Sequence, residues 1–218
     1  ILSLAFNKRI ATTMAERLPS NVSARTLNSV GHGVWSQAIG RRLNVNTKKT
    51  YEILKAELDG LHRGARSEAY ENFAEILGTV RAAKAAGYVP SGKYPNARRV
   101  ISQDDFYSSL EEPPAQPELA ESVLTTSIKY SYEGLIDFDD QIYMPSLFGG
   151  TFPKFPLVMV DEAQDLSPLN HAMLEKLVTK LLIAVGDPWQ SIYAFRGADT
   201  ASMARLRDRF SMTDMGLS

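Results

Sequence analysis

The stretch Leu157-Val158-Met159-Val160-Asp161-Glu162-Ala163-Gln164-Asp165 decides the fold. Four apolar residues, two of them β-branched, run straight into two carboxylates. A continuous apolar run of this kind predicts a strand buried on both faces, the pattern of a parallel sheet. Open α/β sheets place their ligands outside the carboxyl ends of the strands, and the two acids fall there. One carboxylate at such a point can hold a magnesium ion, and its neighbour can orient or deprotonate a water.

Downstream, Ser167-Pro168 supplies an N-cap with proline at the first helical position. Leu169, Met173, Leu174, Leu177 and Val178 line the apolar face of the helix that follows. Lys180 to Val185 reads as a second buried strand, ending in Gly186-Asp187. A last helix covers 199–210, and 211–218 reads as a frayed tail. At the other end of the chain, residues 1–6 form a strand. Asn7 to Leu18 is a helix with Ile10, Met14 and Leu18 at helical spacing, stopped by Pro19-Ser20-Asn21. Val22 to Leu27 is a short strand. Asn28 to Leu43, with Gly31 and Gly33 around His32, reads as a loop entering a helix. His32 has no acid or cysteine spaced to partner it, so we read a turn or surface residue.

The middle of the chain differs. Tyr51, Leu54, Leu58 and Leu61 form one helical stripe, and Tyr70, Phe73, Leu77 and Val80 form another, with a break at Gly60 to Gly64. Both read as core-facing. Gly87 to Pro95 is a loop, and 102–110 a short helix opening at Ser102 with Asp104 and Asp105 in its first turn. Glu111 to Pro117 is a linker, and Leu119 to Glu133 is helical again. In Ile136-Asp137-Phe138-Asp139-Asp140-Gln141-Ile142 the three acids point to different sides of any regular element. We read them as a helix entry with structural hydrogen bonds rather than a metal or nuclease site built on Asp137, Asp139 and Asp140. Strands alternating with helices at both ends, and helices alone between them, predict an α/β domain carrying an α-helical insertion.

Composition sets outer bounds. The 218 residues are 44% hydrophobic and 22% charged, ordinary for a globular chain. The absence of cysteine excludes disulfides and thiolate metal sites and fits a cytoplasmic protein. No apolar run approaches the ~20 residues of a membrane span. The net charge of −1 gives no global field for nucleic acid. Lys8-Arg9, Arg41-Arg42, Lys48-Lys49 and Arg98-Arg99 read as solvated surface pairs. The sequence opens on Ile1 rather than methionine, which suggests a fragment.

The second strand end strengthens the first. Val185-Gly186-Asp187-Pro188-Trp189-Gln190-Ser191-Ile192-Tyr193-Ala194-Phe195-Arg196-Gly197 packs Gln, Tyr, Phe and Arg close together. Gln190 can sense a phosphate oxygen. Tyr193 and Phe195 offer flat faces, each worth ~1–3 kcal/mol against a stacked base. Arg196 can contact phosphate or carboxylate in bidentate fashion.

Together, Val160 to Asp165 and Val185 to Ala198 resemble motifs II and III of the UvrD/Rep/PcrA group of superfamily 1 DNA helicases. Leu4-Ala5-Phe6-Asn7-Lys8 with Met14 is similar to motif Ia. Thr26-Leu27-Asn28-Ser29 is similar to the Thr-Phe-His-Ser element of the group, with Asn28 where histidine is usual. Ile136 to Asp140 is similar to the Asp-Phe-Asp-Asp segment before motif II.

The resemblance implies a RecA-like P-loop NTPase sheet made of 1–45 and 126–218, with 46–125 as the helical 1B insertion, shorter than the family's. It implies ATP and Mg²⁺ as cofactors and single-stranded DNA as partner. Asp161 would bind Mg²⁺ and Glu162 would activate the attacking water. Gln164 and Asp187 would lie in the nucleotide site, and Gln190 would report the γ-phosphate to the DNA site. Phe6, Asn7, Thr26, Asn28, Tyr193 and Phe195 would contact the DNA strand, and Arg196 would sit near the junction of the two sites.

A P-loop ATPase also needs a glycine-rich loop ending in Gly-Lys-Ser/Thr. The 218 residues contain none. In the family it lies just upstream of the position of Ile1, and a second RecA-like domain lies downstream. The expectation is therefore a piece of an ATP-dependent 3′→5′ DNA helicase or translocase, inactive alone. The alternative is a catalytically incomplete module that binds single-stranded DNA or a protein partner.

Overall fold

The computed structural model describes residues 1–187 and 201–216. The chain divides into two compact units, Ile1–Val30 with Thr151–Ser218, and Gly31–Gly150.

The first unit is built on a four-stranded sheet of β1 (Leu2–Leu4), β2 (Ser23–Arg25), β5 (Phe155–Val160) and β6 (Val178–Ala184), in the order β2-β1-β5-β6. Every neighbouring pair is parallel. The register aligns Leu2 with Val158 and Val158 with Leu182, and Leu4 with Val160 and Val160 with Ala184. Side chains alternate across a sheet, so these six share one face; all but Ala184 are buried. The other face is more open than the sequence suggests. Leu157 and Met159 are only half-buried, and Leu181 and Ile183 on β6 are exposed. The apolar run therefore reads correctly as a strand but not as one covered on both sides among the described residues. β6 is the outermost strand among the described residues, and its residues alternate between covered and uncovered from Leu181 to Ile183.

Helix α1 (Lys8–Arg17) connects β1 to β2 and is capped by Asn7, whose side-chain oxygen accepts from the Ile10 amide at 2.9 Å. Helix α9 (Pro168–Leu177) connects β5 to β6. It opens on a capping box in which Ser167 accepts from the Asn170 amide and the Asn170 side chain accepts from the Ser167 amide. Its buried face is Leu169, His171, Met173, Leu174 and Leu177. Val178 belongs to β6, not to that helix. Helix α10 (Ser202–Phe210) closes the unit.

The second unit is mostly helical: α3 (Lys49–Asp59), α4 (Arg63–Glu71), α5 (Phe73–Ala86), α6 (Gln103–Ser108), α7 (Pro117–Tyr132) and α8 (Asp140–Leu147). A short parallel pair, β3 (Asn44–Val45) and β4 (Leu135–Ile136), joins the segments that flank α3 to α7.

Several local expectations change here. Helix α2 (Leu27–Ile39) runs straight through Gly31 and Gly33, which the sequence reads as a loop. Gly31 serves close packing: a Cβ there would lie 1.8 Å from the Gln141 carbonyl oxygen. In α3 the inward residues are Ile53, Leu54 and Leu58, while Tyr51 and Leu61 are exposed. In α5 they are Ile76, Val80 and Ala83, and Leu77 is only half-buried. Tyr51 and Tyr70 instead flank Phe73 in a half-exposed aromatic group. Pro117 begins α7 rather than ending a linker, as suits a residue with no amide to donate. Among the described residues no helix is long and apolar enough to cross a membrane.

Candidate functional site

All four parallel strands of the first unit end at the same edge. Asp161 and Glu162 follow β5, Gly186 and Asp187 follow β6, Phe6 and Asn7 follow β1, and Thr26 and Asn28 follow β2. Residues far apart in sequence thus meet along one sheet edge because every strand points the same way.

Hydrogen bonding continues past the strand ends. The Asp161 amide donates to the Leu4 carbonyl at 3.1 Å, and the Val185 amide to the Val160 carbonyl at 2.8 Å. The chain then turns sharply. Glu162 sits at φ 53° and ψ 44°, in the left-handed region. A non-glycine residue there costs about 1–2 kcal/mol. Its amide donates to Asp161 Oδ1 at 3.1 Å, and its carboxylate, at an exposed position, accepts from Gln164 Nε2 at 2.7 Å. Gln164 itself is buried, and its Oε1 accepts from the Asp187 amide at 3.2 Å. One glutamine therefore joins the turn after β5 to the end of β6. Gly186 makes room for it, since a Cβ would lie 2.4 Å from Gln164 Oε1. At the far side of the turn, burial and then the charge of Glu162 push the Asp165 carboxyl up.

Along the rest of the edge, Phe6 is 38% exposed. Asn7 faces the same edge but commits its side-chain oxygen to the cap of α1. Thr26 and Ser29 bond reciprocally, each amide donating to the other's hydroxyl, at 3.2 and 3.0 Å. The Thr26-Leu27-Asn28-Ser29 element is thus a capping box for α2, and Asn28 is half-buried in its first turn. Gln190, Tyr193, Phe195 and Arg196 lie outside the described residues.

Asp161 offers a carboxylate at an exposed strand-end position. Among the described residues no group of three or more His, Asp or Glu is arranged to hold a metal ion. Magnesium is commonly bound by one or two carboxylates with substrate phosphates, and that hard-oxygen donor set is the one Asp161 can contribute to.

The acids of 136–142 do something else. In the second unit, the Asp140 amide donates to Asp137 Oδ1 at 2.8 Å, and the Asp137 amide to Asp140 Oδ2 at 2.9 Å. Lys49 Nζ lies 2.7 Å from Asp140 Oδ2. Lys84 Nζ lies 2.7 Å from both Asp137 Oδ2 and Asp140 Oδ1. Both lysines and Asp140 are essentially inaccessible. Burial alone would raise the Asp140 carboxyl, but Lys84 and Lys49 outweigh it and hold it well below the usual carboxylate range. Burial opposes the Lys84 ammonium, yet Asp140 and Asp137 hold it above its ordinary value. Burial prevails at Lys49, whose value is lowered. These are helix-entry and ion-pair residues, as the reading of structural hydrogen bonds expects. Lys49 is the exception among the basic pairs: it is 1% exposed, not solvated surface.

A second contact carries no sequence signal. Ser202 Oγ donates to the Ala163 carbonyl at 2.7 Å, and His171 Nε2 lies 2.9 Å from Ser202 Oγ. Neither His171 nor Ser202 falls in a recognisable motif, and 31 residues separate them.

The model of the UvrD/REP helicase N-terminal domain family matches residues 1–211. Among curated relatives, the chain is 26% identical to DNA helicase IV of Escherichia coli, over 96% of this chain and 36% of the relative. It is 44% identical to the RecBCD enzyme subunit RecB of Mycolicibacterium smegmatis, over 24% of this chain and 5% of the relative. It is 38% identical to the RecB protein of Escherichia coli, over 25% of this chain and 5% of the relative. The chain therefore spans well under half the length of each.

Proposed function

The chain belongs to the UvrD/REP helicase N-terminal domain family, and from that premise we propose that it is the nucleotide- and DNA-facing part of an ATP-dependent 3′→5′ DNA helicase or translocase. One observation carries the reading. The parallel sheet delivers the Asp161–Gln164 turn and Asp187, and also Phe6, Asn7, Thr26 and Asn28, to a single edge. We assign residues 1–45 and 126–218 to the RecA-like domain and 46–125 to its helical insertion, bounds narrower for the insertion than the compact unit Gly31–Gly150. The β3–β4 pair supports that division, because it joins the segments that flank α3 to α7.

Within this site Asp161 would hold Mg²⁺, which supplies charge neutralisation at the phosphates of ATP. Glu162 accepts a proton from the attacking water, and the Gln164 amide orients its carboxylate. By the family resemblance, Asp187 and Gln190 are assigned to the nucleotide side. By the same resemblance, base stacking is assigned to Phe6, Tyr193 and Phe195, and contacts to the DNA strand to Asn7, Thr26 and Asn28, with Arg196 assigned near the junction of the two sites. The 218 residues contain no Gly-Lys-Ser/Thr loop, so turnover needs a chain that supplies one.

The test uses the whole gene product with duplexes carrying a single-stranded 3′ or 5′ tail. ATP-dependent strand displacement from the 3′-tailed duplex is expected, with little from the 5′-tailed one. Tight DNA binding with no displacement from either substrate would favour a binding module instead. Binding should weaken steeply with salt despite the net charge of −1, because local cations displace counterions from the phosphates.

A further inference from the structure

We propose that Ser202 and His171 are positioning residues that hold Glu162 in its working conformation. The inference rests on the reading of Glu162 as the water-activating base.

A serine hydroxyl has one proton and two lone pairs. At Ser202 the proton is committed to the Ala163 carbonyl, 2.7 Å away. The 2.9 Å contact with His171 Nε2 must then be a donation from Nε2–H into a serine lone pair. The histidine thus carries hydrogen on Nε2. It fixes the hydroxyl rotamer so that the proton points at Ala163. Both side chains are 1% exposed, so water does not compete for either bond.

Ala163 is consequently tied on both sides. Its amide donates to the Val185 carbonyl at 2.9 Å, and its carbonyl accepts from Ser202. The residue immediately before it is Glu162, in the left-handed conformation. Such a conformation persists where the surroundings over-determine it. The ties on Ala163 contribute to this, one from the end of β6 and the other from α10, beside the local bond from the Asp165 amide to the Glu162 carbonyl at 3.0 Å. With the turn fixed, the Glu162 carboxylate meets the Gln164 amide at 2.7 Å. Without the Ser202 bond, the Ala163 carbonyl keeps only the longer bond from the Leu166 amide at 3.5 Å, so the turn loosens and Glu162 is less firmly held in its left-handed conformation. The carboxylate would then leave its place at the sheet edge.

The test compares Ser202→Ala, Ser202→Thr, His171→Phe and His171→Gln in the whole gene product. Ser202→Ala should lower kcat of DNA-stimulated ATP hydrolysis about tenfold, the size of one lost hydrogen bond. KM for ATP and affinity for a fluorescent ADP should stay within about twofold. Ser202→Thr, which keeps the hydroxyl, should retain most activity. His171→Gln, which keeps an amide donor, should exceed His171→Phe. In a Glu162→Gln background, Ser202→Ala should cause no further loss. An unchanged kcat in Ser202→Ala, or an equal loss in the Glu162→Gln background, overturns the proposal. Amide exchange at Ala163 supplies the arm that does not depend on turnover. Ser202→Ala should speed it about tenfold while Val158 stays protected; no change there also overturns the proposal. Full turnover by Glu162→Gln with altered Ala163 exchange would instead remove the base assignment and, with it, the catalytic half of the inference.

Discussion

The Asp187 amide donates to Gln164 Oε1 at 3.2 Å, while Nε2 of the same glutamine donates to the Glu162 carboxylate at 2.7 Å. Gln164 therefore ties the ends of two adjacent strands to one carboxylate. Gln164→Ala removes both bonds and strips the Glu162 carboxylate of its amide partner. Bonds to charged groups contribute about 1.5–3 kcal/mol, so kcat for DNA-stimulated ATP hydrolysis should fall roughly 10- to 100-fold. Steady-state kinetics beside a circular-dichroism melt separates this from unfolding.

Glu162→Gly tests the turn from the opposite direction. Glycine occupies the left-handed region freely, so the substitution relieves strain at φ 53°. Folding stability should be unchanged or rise by about 1 kcal/mol, while hydrolysis is lost. Urea denaturation gives the first quantity and a phosphate-release assay the second.

Asp140→Asn strikes the buried ion cluster. It leaves Lys49 and Lys84 inaccessible with half their counter-charge. Breaking such a cluster from one side costs about 3–5 kcal/mol, measurable as a shift in denaturant midpoint. Replacing Asp139, which is exposed, should change stability by less than about 0.5 kcal/mol.

The same cluster sets an acid limit. The Asp140 carboxyl is held below its unfolded value of about 3.9. A depressed folded value contributes stability that is present above the unfolded value and lost as pH falls through the folded one. Unfolding free energy should therefore decline below about pH 4, and Asp140→Asn should flatten that decline. At alkaline pH the two lysines oppose each other. Lys84, with a raised value, loses its contribution as pH rises, while deprotonation relieves Lys49, whose value is lowered. The acid limb is the clean readout.

Gly31→Ala should be damaging although it lies in a helix, where alanine is normally favoured. The added Cβ would meet the Gln141 carbonyl at 1.8 Å. A loss of about 1–3 kcal/mol is expected, against little change or a gain for Gly33→Ala, which meets open space. Thermal melts of the two variants decide it.

What was legible in the sequence was local. Ser167-Pro168 and Ser102 announce helix starts through cap chemistry, and both cap as expected. Val158 and Val160 announce a strand, and the acids after them mark its carboxyl end. The resemblance in motifs II and III identifies the family that the whole-chain match supports. What was not legible depends on partners distant in sequence. Nothing near Lys49 foretells that Asp140, 91 residues on, will bury it. Gly31 and Gly33 look like a loop because glycine breaks helices, and only the approach of Gln141 shows why Gly31 lies inside one. The bond from Ser202 to Ala163 closes across 39 residues, and nothing around Ser202 marks it as the partner.

We propose the Asp161–Gln164 turn as the hydrolytic centre of a DNA-driven ATPase. The direct measurement is phosphate release by the whole gene product, with and without single-stranded DNA, for the native protein and Glu162→Gln. Strong stimulation by DNA is predicted for the native protein, and loss of turnover, about 100-fold or more, for the variant with ATP binding retained. DNA-stimulated turnover that survives Glu162→Gln would contradict it.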